Sequence, residues 1–269
     1  MSNIPKKRPV VIIPYMPKGG VGKTTSAAHI GYSLASKGKA LLIDADPQAN
    51  LTNHYLKPEE FTKESNDKSF TDFLNKKDTF SNCIFKPRRS NEKLQNLYML
   101  GLPPNNDLRE FIQFKFPTNP AILKSLITQA KNDDFDYVIF DPPADFGMYT
   151  KSLIAHSTCV LALVQPEKFG FDAIFSLVDG LNQIKTGFDA DFDFSIAIVN
   201  KFNSKNTTHK HFQDEMNESS FNKTFFIPDT NSIPYACTKN LLLHEDKPYN
   251  PAIPVFDSIA DHIYNYFKE

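Results

Sequence analysis

The residues best suited to chemistry form an octad near the start of the chain, Lys18–Thr25, which reads Lys-Gly-Gly-Val-Gly-Lys-Thr-Thr. Closely spaced glycines let the backbone curl so that several N–H groups point at one anion, and a helix that begins here adds its positive dipole end. The lysine and threonine that follow supply an ammonium for phosphate oxygens and a hydroxyl ligand for Mg²⁺. The octad, called the phosphate loop below, therefore predicts binding of a nucleotide phosphate.

Separate roles follow for the residues of the phosphate loop. Lys23 is predicted to reach the β- and γ-phosphates of a nucleoside triphosphate, and the Thr24 hydroxyl to ligate Mg²⁺. The remaining nucleotide-binding residues of the octad are Lys18, Gly19, Gly20, Val21, Gly22 and Thr25. The general pattern G-x-x-x-x-G-K-[ST] has glycine where this chain has Pro17. The chain fits the deviant form of the motif better, in which Lys18 is the additional functional group.

Two other apolar segments end in carboxylates that could serve the same phosphates. Asp44 and Asp46 follow the run Leu-Leu-Ile, and Asp141 ends Tyr-Val-Ile-Phe-Asp. We expect Asp46 to orient the attacking water, Asp44 to join the Mg²⁺ and phosphate shell, and Asp141 to hold Mg²⁺ through water. An aspartate at a strand end is also a common cap or turn residue. Their shared position at predicted strand ends, beside a phosphate loop, favours one site.

The elements that must position these residues are apolar runs alternating with amphipathic stretches. Strands are predicted at Val10–Tyr15, Ala40–Asp44, 97–101, Tyr137–Asp141, Cys159–Val164, 195–200 and 224–228, and helices at 24–37, 69–76, 107–113, 119–132, 148–156, 170–186, 207–218 and 255–268. This βαβ series predicts an α/β fold, a doubly wound and mostly parallel sheet with helices on both faces, as in the P-loop NTPase fold. Ligands of such sheets bind at the carboxyl ends of the strands.

Length and composition narrow the class of protein. The 269 residues suit a single domain, 1–269, with a polar surface excursion at about 53–93. A net charge of −1 makes any basic surface local. The cysteines Cys83, Cys159 and Cys237 form no C-x-x-C pair, and neither a signal peptide nor a long apolar run is visible, so we expect a cytoplasmic protein with free thiols.

Several of these motifs together resemble the ParA/MinD group of deviant-Walker P-loop ATPases, and within it the ParA-type partition ATPases. The matching residues are Lys18–Thr25, the run Asp44-Ala-Asp-Pro-Gln-Ala-Asn50, Asp141-Pro-Pro143, Ile227-Pro228 and the segment 97–108. The resemblance implies a weak, Mg²⁺-dependent ATPase that closes into a sandwich homodimer with ATP. It also implies that Lys18 crosses to the partner's phosphates, that Asn200 recognises adenine, and that a loop at Pro228 closes over the base.

The resemblance further implies a cycle of DNA binding and release. The ATP dimer would bind non-specific DNA on the nucleoid, and a ParB-like or other adaptor protein would stimulate hydrolysis and release it, positioning a plasmid, chromosome or other cargo. Only 17 residues precede the octad, so an operator-binding helix-turn-helix domain is not expected there.

Three departures from the family pattern stand out. Ala49 replaces a glycine, Asp141 is followed by Pro-Pro-Ala rather than x-Pro-Pro, and the stretch Asp229-Thr-Asn-Ser232 lacks the arginines that the family often uses on DNA. Candidate replacements are Lys201, Lys205, Lys210, Lys223, Lys239 and Lys247. A solvated surface is an equally good interpretation of these lysines.

Other functional classes share parts of this pattern. A MinD-like membrane-cycling ATPase would need a basic amphipathic C-terminal helix, but the polar face of the tail carries Asp257 and Asp261, which favours core packing and no membrane partner. An iron protein would need bridging cysteines at other positions. A tyrosine kinase is suggested only by Tyr264 and Tyr266, and a switch that binds ATP without hydrolysing it is disfavoured by Asp46.

Overall fold

A single sheet forms the centre of the protein, for which a computed structural model describes residues 8–87, 95–167 and 170–268. Its strands are β1 (Val10–Tyr15), β2 (Ala40–Asp44), β3 (Leu97–Leu100), β4 (Tyr137–Asp141), β5 (Cys159–Val164), β6 (Asp193–Phe202) and β7 (Lys223–Pro228). They lie in the order β3-β2-β4-β1-β5-β6-β7, and each pairing is parallel. The predicted doubly wound sheet is confirmed. The chain places β2, β3 and β4 on one side of β1 and β5, β6 and β7 on the other. Folds of this kind bind ligands at this switch point in the strand order.

Predicted and observed strands agree best where the sequence is continuously apolar. The bounds of β1, β2, β4 and β5 are as predicted, and all of their residues are buried. Strands covered on both faces have this composition because no residue of theirs meets water. Strand β6 extends beyond the predicted 195–200 at both ends, where Asp193 and Lys201 interrupt the apolar run.

The helices surround this sheet in chain order. They are α1 (Lys23–Leu34), α2 (Asn50–Tyr55), α3 (Pro58–Ser65), α4 (Phe70–Leu74), α5 (Phe80–Cys83), α6 (Leu108–Glu110), α7 (Ile122–Asn132), α8 (Met148–Ala155), α9 (Gly170–Phe188), α10 (Thr207–Glu218), α11 (Ser232–Thr238), α12 (Leu243–Asp246) and α13 (Ile253–Tyr266). A π-helical turn, Phe111–Lys115, and a 3₁₀ turn, Phe116–Thr118, continue α6, where one helix over 107–113 is predicted. Five of these helices, none longer than eight residues, were not predicted: α2, α3, α5, α11 and α12.

The segment predicted as a polar surface excursion, 53–93, is described up to residue 87; residues 88–93 of it lie outside the described part. Its short helices bury Phe61, Phe70, Phe73 and Phe80, each less than 10% exposed. Charged residues between these aromatics give the segment its polar composition. The segment therefore joins the core through its aromatic side chains, and its charged residues provide the surface.

The C-terminal helix α13 packs against α1. Its residues Phe256, Ile259, Ala260 and Ile263 are fully buried, as predicted, while Phe267 is half-buried. The apolar face of this helix is thus occupied by the core. Within the residues that the structure describes, we find no helix with the length and hydropathy needed to cross a bilayer.

Candidate functional site

The phosphate loop connects β1 to α1 at the carboxyl edge of the sheet. Gly20 and Gly22 adopt positive φ values of 73° and 102°, a region that side chains with a Cβ atom rarely enter. A Cβ atom on Gly22 would also lie 2.4 Å from the Asn200 amide nitrogen. Glycine is thus required at position 22 for two reasons: the positive φ of the turn and the close approach of Asn200 on β6.

Lys23 lies inside this loop, with only 7% of its surface exposed. Its Nζ donates to the Lys18 carbonyl at 2.8 Å and to the Met16 carbonyl at 3.3 Å. Burial lowers the pKa of Lys23, and the charges of Asp141 and Asp46, among others, oppose that shift. The ammonium is therefore held by its own turn, within electrostatic reach of the predicted metal-binding carboxylates.

Lys18, the other lysine of the loop, is in a different environment. Its side chain is 53% exposed, and its Nζ lies 2.7 Å from Oε2 of Glu167. Just before Glu167, the Gln165 amide donates to the Gly20 carbonyl at 2.9 Å. The segment after β5 thus contacts the loop through both of these side chains.

Asp44 and Asp141 are paired in register at the ends of neighbouring strands β2 and β4. Both are essentially inaccessible to water. Oδ2 of Asp44 accepts hydrogen bonds from the Thr52 amide at 2.7 Å and the Thr52 hydroxyl at 2.6 Å, whereas Oδ1 has no partner. Burial raises the pKa of Asp44 to about 7, against the two Thr52 bonds that lower it.

Asp141 has neither carboxylate oxygen in a hydrogen bond of normal geometry. Burial and the neighbouring Asp44 raise its pKa well above the ordinary range, and the nearby Thr24 hydroxyl opposes them. A buried carboxylate without a partner is costly unless a cation compensates it. The Asp44–Asp141 pair beside Thr24 therefore fits Mg²⁺, whose usual ligands are oxygens.

The described residues contain no set of three or more His, Cys, Asp and Glu side chains that alone could hold a metal ion. This suits Mg²⁺, which usually keeps several waters and binds through one or two carboxylates plus substrate phosphates. We refer to Asp44, Asp46 and Asp141 as the carboxylate cluster.

Asp46 begins the turn that leads from β2 into α2. Its Oδ1 accepts the Gln48 amide at 2.9 Å, and its carbonyl accepts the Ala49 amide at 2.9 Å. Ala49, which stands where the family has glycine, adopts a φ of 55°. The family glycine is explained by this left-handed conformation, which strains an alanine. The half-buried Asp46 is thus presented from a tight turn.

The predicted adenine-binding residues are Asn200, two residues before the end of β6, and Pro228, the last residue of β7. Asn200 is 8% exposed, and its amide donates to the Val21 carbonyl at 2.8 Å while its Oδ1 accepts the Lys201 amide at 2.9 Å. The structure therefore brings Asn200 against the phosphate loop. Pro228 is half-buried beside Phe202, its register partner on β6.

Five residues of the site were not found from the sequence: Thr52, Asp145, Tyr149, Gln165 and Glu167. Asp145 is four residues beyond Asp141 and opposes the lowered pKa of Lys23. A search for carboxylates near a strand end would have found it. Thr52 is eight positions from Asp44, across a turn, and the contacts of Gln165 and Glu167 with the loop span 145 and 149 positions, so no local motif indicates them.

Comparison with known proteins agrees with this geometry. A family profile described as an AAA domain matches residues 10–194, more than half of the chain. A chromosome partitioning protein ParA of Myxococcus xanthus is 25% identical over 203 residues, which are 72% of this chain and 65% of that protein. The chain belongs to the ParA-type P-loop ATPases. The matched regions span only 60–65% of the length of the first three curated relatives.

Solved structures share the fold of this chain. A Borrelia burgdorferi plasmid partition protein bound to AMPPNP has a TM-score of 0.78 at 20% identity, covering 97% of this chain and 100% of that one. The cell division ATPase MinD of Pyrococcus furiosus has a TM-score of 0.75 at 20% identity, with the same coverage. The same fold thus occurs in both partition and cell-division proteins.

Proposed function

We propose that this ATPase binds ATP and Mg²⁺ at the carboxyl edge of β1, β2 and β4, and positions a DNA cargo through a cycle of nucleotide-dependent dimerisation. The observation that supports it most is the buried Asp44–Asp141 pair with unpartnered oxygens, placed beside a phosphate loop with two lysines. Mg²⁺, when bound, neutralises phosphate charge at this pair and polarises the γ-phosphate.

Each side chain of the site has a separate role in ATP binding or hydrolysis. Lys23 exchanges its carbonyl partners for β- and γ-phosphate oxygens, and Thr24, Asp44 and Asp141 hold Mg²⁺ directly or through water. Asp46, fixed by its turn, orients the water that attacks the γ-phosphate. Asn200 and Pro228 border the adenine at the ends of β6 and β7. The other loop residues contact phosphate mainly through backbone N–H groups.

Lys18 supports the proposal of an ATP-bound homodimer. Unlike Lys23, it extends away from its own loop and is half exposed, so it is available to a second subunit. Its compact charge would stabilise the partner's phosphates as an arginine finger does. Slow intrinsic hydrolysis, stimulated by a ParB-like or other adaptor protein, would end the dimer.

We propose that the protein is cytoplasmic and nucleoid-associated, and that in each cycle it binds and releases non-specific DNA. The six candidate lysines are all exposed, but they do not form one patch. Lys223 begins β7 and so lies at the amino edge of the sheet, and Lys239 is paired with Asp246 at 2.9 Å. Lys201 near the end of β6, Lys205 on the connection that follows and Lys210 in the first turn of α10 are close in sequence and are the better candidates for phosphate contacts.

The first test separates DNA from membrane as the partner. We expect ATP with Mg²⁺, but not ADP, to cause a mobility shift of non-specific duplex DNA that weakens steeply with salt. Joint replacement of Lys201, Lys205 and Lys210 by alanine should flatten that salt dependence, whereas Lys223→Ala should not. Retention by anionic liposomes without a DNA shift would instead establish a MinD-like ATPase.

The second test addresses the end of the cycle. Asp46→Ala should lower ATP turnover at least about 100-fold, because a water-orienting group contributes that much, and should accumulate an ATP-bound dimer on DNA. Asp191→Ala, at an exposed position before β6 on the opposite edge of the sheet, is the matched control. An Asp46→Ala protein that stays monomeric and free of DNA under saturating ATP would contradict the assigned role.

A further inference from the structure

Buried oxygens without a partner concentrate at one place in the described part of this ATPase. Four of the five such side-chain oxygens belong to Asp44, Asp141 and Tyr149. The two carboxylates are accounted for by Mg²⁺ in the proposed function. The hydroxyl of Tyr149 is not, and a buried hydroxyl without a hydrogen bond destabilises the folded protein.

The position of Tyr149 is set by its neighbours. It is the second residue of α8, which follows a turn in which Asp145 Oδ1 accepts the Gly147 amide at 2.8 Å and the Thr150 hydroxyl at 3.0 Å. Its ring lies edge-on to Phe116, with the centroids 5.2 Å apart. The turn and the ring contact together restrict the orientation of the side chain, which is 3% exposed.

The surroundings of the hydroxyl are acidic. Burial raises the pKa of Tyr149 most, and the charges of Asp44, Asp46 and Asp145 raise it further, so these carboxylates lie within electrostatic reach. The hydroxyl consequently remains protonated and able to donate. Carboxylate oxygens are strong acceptors of such hydrogen bonds.

We propose that Tyr149 is a positioning residue of the magnesium site, whose hydroxyl donates a hydrogen bond to the carboxylate cluster or its bound water when nucleotide and Mg²⁺ are present. This inference rests on the proposed function, because it presumes that the carboxylate cluster binds Mg²⁺. Thr52 holds one oxygen of Asp44, and Tyr149 would restrain the cluster from the side of α8.

Tyr149→Phe removes the hydroxyl and keeps the ring. We expect the Mg²⁺ concentration that half-saturates binding of a fluorescent ADP to rise roughly 3- to 10-fold, as for loss of one hydrogen bond. Binding of the same ADP in EDTA should be unchanged. The Tm of the nucleotide-free protein should stay the same or rise, because an unpartnered buried hydroxyl has been removed.

Tyr55→Phe is the matched control. Its buried hydroxyl donates to the Ala28 carbonyl at 2.8 Å, so the substitution removes a hydrogen bond that is already made. The expected result is the reverse: a lower Tm with the Mg²⁺ requirement unchanged. The two tyrosines thus separate a structural from a positioning role.

The outcomes distinguish the two proposals. A wild-type protein that binds ADP without any dependence on Mg²⁺ overturns both, whereas unchanged half-saturation in Tyr149→Phe overturns this inference alone. A crystal structure of the wild-type protein with ADP and Mg²⁺ provides a measurement that does not depend on how the variant folds. A Tyr149 hydroxyl within roughly 3 Å of a cluster carboxylate or a metal-bound water supports the inference, and one without a partner overturns it.

Discussion

The phosphate loop and the carboxylate cluster adjoin each other, yet their polar groups are in opposite states. In the loop, Lys23 donates to two carbonyls of its own turn, and Asn200 and Gln165 each donate to another. In the cluster, Asp44 keeps one unpartnered oxygen and Asp141 two. The loop must therefore exchange internal hydrogen bonds for phosphate, while the cluster needs a cation to complete it. The internal hydrogen bonds of the phosphate loop compete with phosphate, whereas the carboxylate cluster is stabilised by the cation.

The largest expected effect is in the loop. Lys23→Ala should weaken ATP binding at least about 100-fold, because charge-assisted hydrogen bonds to two phosphates are lost. Binding of a fluorescent ATP analogue measures this. Lys124→Ala, an exposed lysine of α7, should bind as the wild type does. Near-normal affinity in Lys23→Ala would show that the loop N–H groups suffice for phosphate binding. The contrast between the phosphate loop and the carboxylate cluster would then be wrong.

The second prediction concerns the cluster and its pH dependence. Burial raises the pKa of Asp44 from 3.8 to about 7, so between these values the folded protein holds a proton that the unfolded chain has released. Stability therefore falls as pH rises through this window. Asp44→Asn should remove much of this slope and raise the Tm of the nucleotide-free protein at pH 7.5 by roughly 5 °C, measured by thermal denaturation.

A control of opposite sign is available for this pH effect. Lys68, whose Nζ lies 2.8 Å from Asp78, lowers the pKa of that half-buried carboxyl to about 2, so Asp78→Asn should not raise the Tm at pH 7.5. Asp44→Asn should also gain less from ADP with Mg²⁺ than the wild type does. A nucleotide-free Asp44→Asn protein less stable than wild type at pH 7.5 would show that the cluster is satisfied without a ligand.

The same contrast explains what could be predicted from the sequence. Strands β2 and β4 are continuous apolar runs, so their ends, and the positions of Asp44 and Asp141 at those ends, follow from the pattern. The contact that holds Asn200 against the phosphate loop could not be predicted, because Asn200 and Val21 are 179 positions apart. The unpredicted helices have the same cause. They are short segments stabilised by a few buried side chains, such as Phe61 and Leu243, rather than by a periodic pattern.

The smallest expected effect concerns Lys18. It tests whether Glu167 competes with the nucleotide of the partner subunit for this lysine. Lys18 must leave Glu167 before it can reach a second nucleotide, and a half-exposed pair of this kind contributes less than about 1 kcal/mol. Glu167→Gln should therefore strengthen the ATP-dependent dimer by at most about 5-fold, measured by analytical ultracentrifugation. The Tm should hardly change.

Glu110→Gln is the matched control, because Glu110 forms a similarly exposed pair with Lys115 at 3.8 Å. It should leave dimerisation unchanged. Weaker dimerisation in Glu167→Gln would mean that Glu167 itself contacts the partner subunit. Lys18 and Glu167 would then both be interface residues. Competition between internal hydrogen bonds and phosphate would be confined to Lys23 and the carbonyls of its turn.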